Sequence, residues 1–209
     1  MNDFAKPDGF LGKIAVQYMT VEYHAVNMWA VHILDVQPTD KILEVGFGPG
    51  VAIQEIAKRV PTGYIVGIDY SELMLAQAKE RNLQAIQERR VDLRHANVSD
   101  LPAIGIIFDK IIAINNIMYW PNRIDALQGL RKTLKPGGLI LVILQGDYEQ
   151  VQKGKYYKEI NRYARHLEES GFMEIKVCIQ PVTRKPNGTY GLAGICIRGF
   201  NPALCHRAK

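Results

Sequence analysis

The stretch Ile42-Leu43-Glu44-Val45-Gly46-Phe47-Gly48-Pro49-Gly50 decides the fold. A short run of strand character passes directly into a turn with glycine at every second position. Glycine takes positive φ without steric penalty and lets a backbone come close to a ligand. Behind the turn, Val51, Ile53, Ile56 and Ala57 recur at helical spacing over Val51 to Arg59. The amides that open such a helix suit a polar ligand group.

Working outward, the same alternation repeats. Pro61-Thr62-Gly63 is a turn, and Tyr64 to Ile68 is a strand that ends at Asp69. Ser71 is placed to cap a helix over Glu72 to Arg81. Val91 to His95 and Phe108 to Ile114 read as the third and fourth strands. Ile124 to Leu134 reads as a helix stopped by Lys135-Pro136-Gly137-Gly138, and Leu139 to Leu144 as the fifth strand. Strands alternating with helices imply parallel strands and right-handed crossovers, covered on both faces. After residue 145 the pattern changes. Tyr156 to Ser170 is helical and Gly171 ends it. Phe172 to Gln180 and Tyr190 to Ile197 are strands joined by a polar loop containing Asn187-Gly188, so they pair antiparallel. The expected fold is α/β: a Rossmann-like sheet of seven strands, mostly parallel, with an antiparallel C-terminal hairpin and helices on both faces.

The chain's 209 residues suit one such domain, expected over residues 37–209, behind an N-terminal helical segment over residues 1–36. At 47% hydrophobic and 22% charged, a wholly disordered chain is excluded. No apolar run approaches the roughly 18 residues that would span a bilayer. The N-terminus lacks the apolar region of a signal peptide, so a cytoplasmic location is expected. The net charge of +5 permits an anionic partner, but the basic residues are mixed with acidic ones, as in Glu88-Arg89-Arg90, and read as a solvated face. No nucleic-acid-binding module is evident. Cys178, Cys196 and Cys205 have no metal-ligand spacing, and the first two sit in apolar runs, where they pack as small hydrophobes.

In an open α/β sheet, ligands bind at the carboxyl ends of the strands where strand order reverses. Asp69 stands there, 19 residues beyond Gly50, where a carboxylate accepts hydrogen bonds from ribose hydroxyls. The loop spacing separates cofactors. A dinucleotide fingerprint would need a small residue where Val51 stands, and the glycines run G-x-G-x-G instead. Glu44, just before the turn, is a poor neighbour for a pyrophosphate and a good one for an ammonium group. S-adenosylmethionine carries an ammonium and a sulfonium.

From about Pro38 to Leu144 the sequence resembles the class I methyltransferases, particularly their ubiquinone/menaquinone-biosynthesis-like branch. ILEVGFGPG (42–50) is similar to their first motif and VGIDYSELML (66–75) to their acidic-loop motif. LRHANVSDLP (93–102) is similar to their adenine-binding segment, FDKIIAINN (108–116) to their fourth strand, and LKPGG (134–138) to the turn before strand five. The resemblance implies S-adenosylmethionine as cofactor, with S-adenosylhomocysteine as product, and a small-molecule methyl acceptor. An RNA or protein acceptor, or a non-catalytic cofactor-binding module, are the alternatives. It further implies that Glu44 holds the methionine part through water or the loop amides, and that Gly46, Gly48 and Gly50 lie against the cofactor. Asp69 binds the ribose, with Tyr70 and Met74 near the adenine. Asn97 and Val98 meet the adenine edge and face, and Asn115 makes a backbone contact near the methionine part. Asn97 departs from the family, which commonly has Asp there; its carbonyl still offers one acceptor.

Methyl transfer from a sulfonium is an in-line displacement, so alignment matters most and a base is needed only where the acceptor must lose a proton. His24 is the leading base candidate. Tyr18, Tyr23, Tyr119 and Trp120 are candidates to line the acceptor pocket, and Tyr18 and Tyr119 join His24 as catalytic candidates. The loop after strand four, Asn115 to Pro121, lacks the Asn-Pro-Pro-Tyr arrangement of many methyltransferases acting on amino groups of nucleic acids and proteins. Residues 10–30, rich in aromatic residues and with hinge candidates Gly9 and Gly12 near their start, are expected to cover the cofactor as a lid. A plain helix packed at the sheet edge is the competing reading.

Overall fold

The computed structural model describes residues 23–101, 104–182 and 184–202. Helix α1 (His24–Ile33) leads into strand β1 (Lys41–Val45), helix α2 (Val51–Arg59) and strand β2 (Tyr64–Asp69). Helices α3 (Glu72–Arg81) and α4 (Leu83–Gln87) precede β3 (Val91–His95) and β4 (Phe108–Ile114). Helix α5 (Arg123–Thr133) runs into β5 (Leu134–Asp147), which is followed by α6 (Tyr148–Gln152), α7 (Tyr157–Glu169), β6 (Met173–Ile179) and β7 (Leu192–Phe200).

The seven strands lie in the order β3-β2-β1-β4-β5-β7-β6. Strands β1 to β5 pair in parallel, and β7 runs antiparallel to both β5 and β6. The chain steps outward from β1 to β3 on one side and returns to β4 on the other. Strand order therefore reverses between β1 and β4, where Val45 stands opposite Ala113. The crevice expected of such a sheet opens above those two tips.

Alternation along the central strands sends side chains to two cores. Leu43, Ile111 and Val142 pack with Leu127 of α5 and Leu167 of α7. Ile42, Ile112 and Leu141 pack with α1, α2 and α3 through Val31, Ile53 and Met74. Helix α1 is anchored in this second layer: Val26, Ala30, Val31 and Leu34 are each 1% exposed or less. Each large aliphatic side chain so buried contributes about 1.5–3 kcal/mol. Trp29 closes the contact over Gly194 of β7, where a Cβ would stand 2.5 Å from the indole ring.

The sequence reading of the sheet holds, with local differences. Leu134 already pairs with Phe108, so Lys135 to Gly138 form a bulge within β5 instead of a turn before it. Asn201 fixes that bulge, accepting from Gly137 N–H at 2.8 Å and donating its side-chain amide to Leu134 O at 2.7 Å. Asn187-Gly188 makes the hairpin turn as expected, with Gly188 at φ +82°. Cys196 is buried, but its partner in register, Cys178, is exposed because β6 is an edge strand. Among the described residues no helix is long and apolar enough to cross a membrane.

Candidate functional site

A cavity of about 1110 Å³ opens at the carboxyl ends of β1 to β5, bounded by the start of β7 and the first turn of α1. The glycine turn forms its floor. Gly46, Gly48 and Gly50 have φ of +68°, +51° and +76°, in the left-handed region that side chains avoid. Gly46 and Gly48 line the cavity. Gly50 is not among the residues that line it. It is the left-handed residue before α2, and a Cβ there would meet Ala78 Cβ at 2.8 Å. Its freedom serves the packing of α2 on α3. Arg81 and Asn82 hold the turn from that side, donating to Pro49 O at 2.9 Å and Gly50 O at 3.1 Å.

Two carboxylates face the cavity from adjacent strands. Glu44 is 2% exposed, and its Oε2 is buried without a hydrogen-bond partner. Burial holds its carboxyl well above the usual range, and the neighbouring Asp69 charge adds to that. Asp69 at the end of β2 is 7% exposed. Its two oxygens accept from the Gly48 and Ser71 amides, each at 2.9 Å. Burial raises the Asp69 carboxyl, and those amides oppose the shift. Ser71 caps α3 as expected, accepting from Met74 N–H at 3.4 Å.

Around Asp69 stand Tyr70, Met74, Asn97 and Val98, all lining the cavity. Asn97 Oδ1 accepts from Ser99 N–H at 3.0 Å and so fixes the turn that follows β3. On the far side of the crevice, Asn115 holds a left-handed φ of +54°. Its N–H is taken by Ile143 O at 2.8 Å, and its side-chain Nδ2 donates to Gln145 Oε1 at 2.9 Å. Asn116, beside it, donates to Val45 O, Gly46 O and Ile114 O, and accepts from Trp120 Nε1 at 3.0 Å. It ties the tips of β1 and β4 together.

Of the catalytic candidates, Tyr119 lines the cavity and is 43% exposed. Tyr18 lies outside the described residues, as do residues 10–22 of the expected lid. His24 is exposed and does not line the cavity. Helical phase explains why: Tyr23 and Asn27, one turn apart, face the cavity, and His24 is rotated about 100° from Tyr23. Sequence reasoning also missed Gln145, Asp147 and Tyr156 as lining residues. No histidine, lysine or cysteine is among the described residues that line this cavity.

The orphaned buried oxygen of Glu44 and the acidic end of β2, either side of a left-handed glycine turn, suit a ligand with a cationic amine and a ribose. With this sheet order they define a class I Rossmann-like fold for a nucleoside cofactor. The chain matches the methyltransferase domain family over residues 42–138. It is 33% identical over 132 residues to the uncharacterized methyltransferase YdaC of Bacillus subtilis (strain 168), covering 63% of this chain and 71% of that one. It is 28% identical over 135 residues to a demethylmenaquinone methyltransferase of Bacillus cereus, covering 63% of this chain and 56% of that relative, a little over half its length. In structure it is similar to a SAM-dependent methyltransferase from Aquifex aeolicus, with a TM-score of 0.64 at 19% identity, over 88% of this chain and 96% of that one. The chain belongs to the class I S-adenosylmethionine-dependent methyltransferases.

Proposed function

We propose that this chain methylates a small, uncharged aromatic acceptor, and that one cavity holds both the acceptor and S-adenosylmethionine. The observation that carries this reading is the division of the cavity lining. Its two buried carboxylates, Glu44 and Asp69, stand at the tips of β1 and β2 beside Phe47 and Tyr70, whereas Tyr119, Trp120 and Tyr156 gather in the segments after β4 and β5, where the carboxylate, Asp147, is exposed. A demethylmenaquinone methyltransferase among its relatives supports an aromatic small molecule.

When bound, the cofactor supplies an electrophilic methyl group on a sulfonium. The chain's residues do the rest. Asp69 accepts from the ribose hydroxyls with the lone pairs that the Gly48 and Ser71 amides leave free. Glu44 receives the ammonium group, which supplies the partner its Oε2 lacks. Tyr70, Met74, Asn97 and Val98 enclose the adenine, and Asn115 borders the methionine part. With no imidazole, amine or thiol on the described lining, alignment contributes more than base catalysis. Deprotonation of the acceptor falls to its own acidity, to Tyr119 or to Asp147. The α1 residues Tyr23 and Asn27 wall one side, in keeping with a packed helix that also borders the site. The reading goes with a cytoplasmic enzyme.

The test is transfer of a labelled methyl group from S-adenosylmethionine in the presence of a cell extract separated into metabolites, RNA and protein. Label in the metabolite fraction is expected. Label confined to RNA or protein would overturn the small-molecule reading.

A further inference from the structure

The tips of β4 and β5 carry a pair of amides. Asn115 Nδ2 donates to Gln145 Oε1 at 2.9 Å, and both side chains line the cavity. Both are held by rigid elements. Asn115 sits in the left-handed region, with its N–H bound to Ile143 O at 2.8 Å. Gln145 lies within the β5 ladder, opposite Gly194 of β7. A side chain on a paired strand is positioned more sharply than one on a loop.

Once the two amides bind each other, Asn115 Oδ1 remains as an acceptor and Gln145 Nε2 as a donor. If both amides turn over together, the two residues exchange these roles. In either state the pair offers one donor and one acceptor side by side. Apart from Glu44 and Asp69, the charged side chains on the described lining are Arg123 and Asp147. Arg123 is directed through Nε and Nη2 at the carbonyls of Ile117 and Met118, at 2.9 and 2.7 Å. Asp147 accepts from Gln150 N–H at 3.0 Å, capping α6.

We propose that the Asn115–Gln145 amide pair is the recognition and positioning site for the methyl acceptor, and that it takes an uncharged hydroxyl-bearing aromatic ring. A hydroxyl accepts from one amide and donates to the other, which fixes both the position and the plane of the ring that carries it. A methoxy group in its place can only accept, so it leaves one amide atom unpaired. Sheet order puts this pair on the opposite side of the strand-order reversal from Asp69, beyond the glycine turn. Asn115 also borders the methionine part, and it is Gln145, one strand further from Asp69, that is assigned to the acceptor alone. This inference rests on the small-molecule reading above.

The probes are 1,4-dihydroxynaphthalene, kept reduced, and 1,4-dimethoxynaphthalene, each titrated calorimetrically into the protein saturated with S-adenosylhomocysteine. Two variants serve. Gln145→Leu removes the amide. Gln145→Glu keeps an acceptor for Asn115 Nδ2 but offers no donor in its ionised form. Both are expected to bind S-adenosylhomocysteine within about twofold of the wild type, and the diol about tenfold more weakly, the loss of one hydrogen bond. The wild type is expected to prefer the diol to the dimethoxy compound, and the variants to lose that preference. Equal diol affinity in wild type and both variants would overturn the proposal. So would a wild type that binds S-adenosylhomocysteine and ignores the diol, even where methyl transfer to a metabolite fraction leaves the broader reading intact. Loss of S-adenosylhomocysteine binding in a folded Gln145→Glu protein would also overturn it, by making Gln145 part of the cofactor site.

Discussion

The side chain of Asn116 occupies the space where a Cβ on Gly46 would stand: that atom would lie 2.8 Å from Asn116 Cγ. Asn116 cannot swing aside freely, because its amide is bound to the backbone of β1 and β4 and to the Trp120 indole. Glycine is therefore required at position 46 twice over, by its φ of +68° and by its neighbour.

Gly46→Ala is expected to destabilise the protein by about 1–3 kcal/mol, through backbone strain and overpacking, and to weaken S-adenosylhomocysteine binding. Asn116→Ala is expected to relieve part of that penalty. The double variant should then lose less than the sum of the single losses, as contacting residues do. Urea denaturation of the four proteins measures the coupling; strict additivity would contradict the contact.

Glu44→Gln is expected to stabilise the ligand-free protein near neutral pH while weakening cofactor binding. The folded protein holds the Glu44 carboxyl above its ordinary value of 4.5. That raised value means its proton favours folding below pH 4.5, and the benefit disappears as pH rises through the folded value. The amide of glutamine has no charge to desolvate, so the variant's advantage should be absent in acid and grow toward neutrality. Thermal denaturation of both ligand-free proteins between pH 4 and pH 8, as about the range that matters, reads it. An ammonium ligand favours the ionised carboxylate, so binding should release protons in the wild type and fewer in the variant. Parallel pH profiles would contradict the raised value.

Asp69→Ala is expected to weaken S-adenosylhomocysteine binding by about 1.5–3 kcal/mol, the scale of hydrogen bonds to a charged group. It should also lower thermal stability, since the Gly48 and Ser71 amides lose their acceptor. Asp69→Asn keeps one acceptor oxygen and should fall between the two. Affinity unchanged in the alanine variant would remove Asp69 from the ribose site.

Much of the fold was legible because it rests on periodicity. Strands β3 and β4 and helices α2 and α3 run over the expected residues. The short α4 and α6 were missed, since five residues each cannot display a helical period. The local pattern places Leu134 at the end of a helix, but its pairing with Phe108 is a long-range contact that no local pattern reports. The lining at the tips of β1 and β2 is legible because glycine spacing and a strand-end acid sit close together in sequence. The lining after β4 and β5 is not. Gln145 and Tyr156 reach the cavity from separate segments after the fifth strand begins, and a lone polar or aromatic residue there carries no signal of its direction. His24 shows the converse. Its imidazole suits a base, but the phase of α1 gives the inward position to Asn27.

That difference can be measured. His24→Ala is expected to leave methyl transfer to the metabolite fraction within about twofold of wild type, whereas Asn27→Ala should lower it about tenfold, the loss of one hydrogen bond near the acceptor. A large loss from His24→Ala with normal folding would restore the histidine to the site.

The most direct test of the cofactor assignment is calorimetric titration of the wild-type protein with S-adenosylhomocysteine, alongside NAD as a competing nucleotide. The expected result is saturable binding of S-adenosylhomocysteine at one site, a raised melting temperature because the ligand binds only the folded state, and loss of both effects in Asp69→Ala. Binding of NAD with no response to S-adenosylhomocysteine would contradict the assignment.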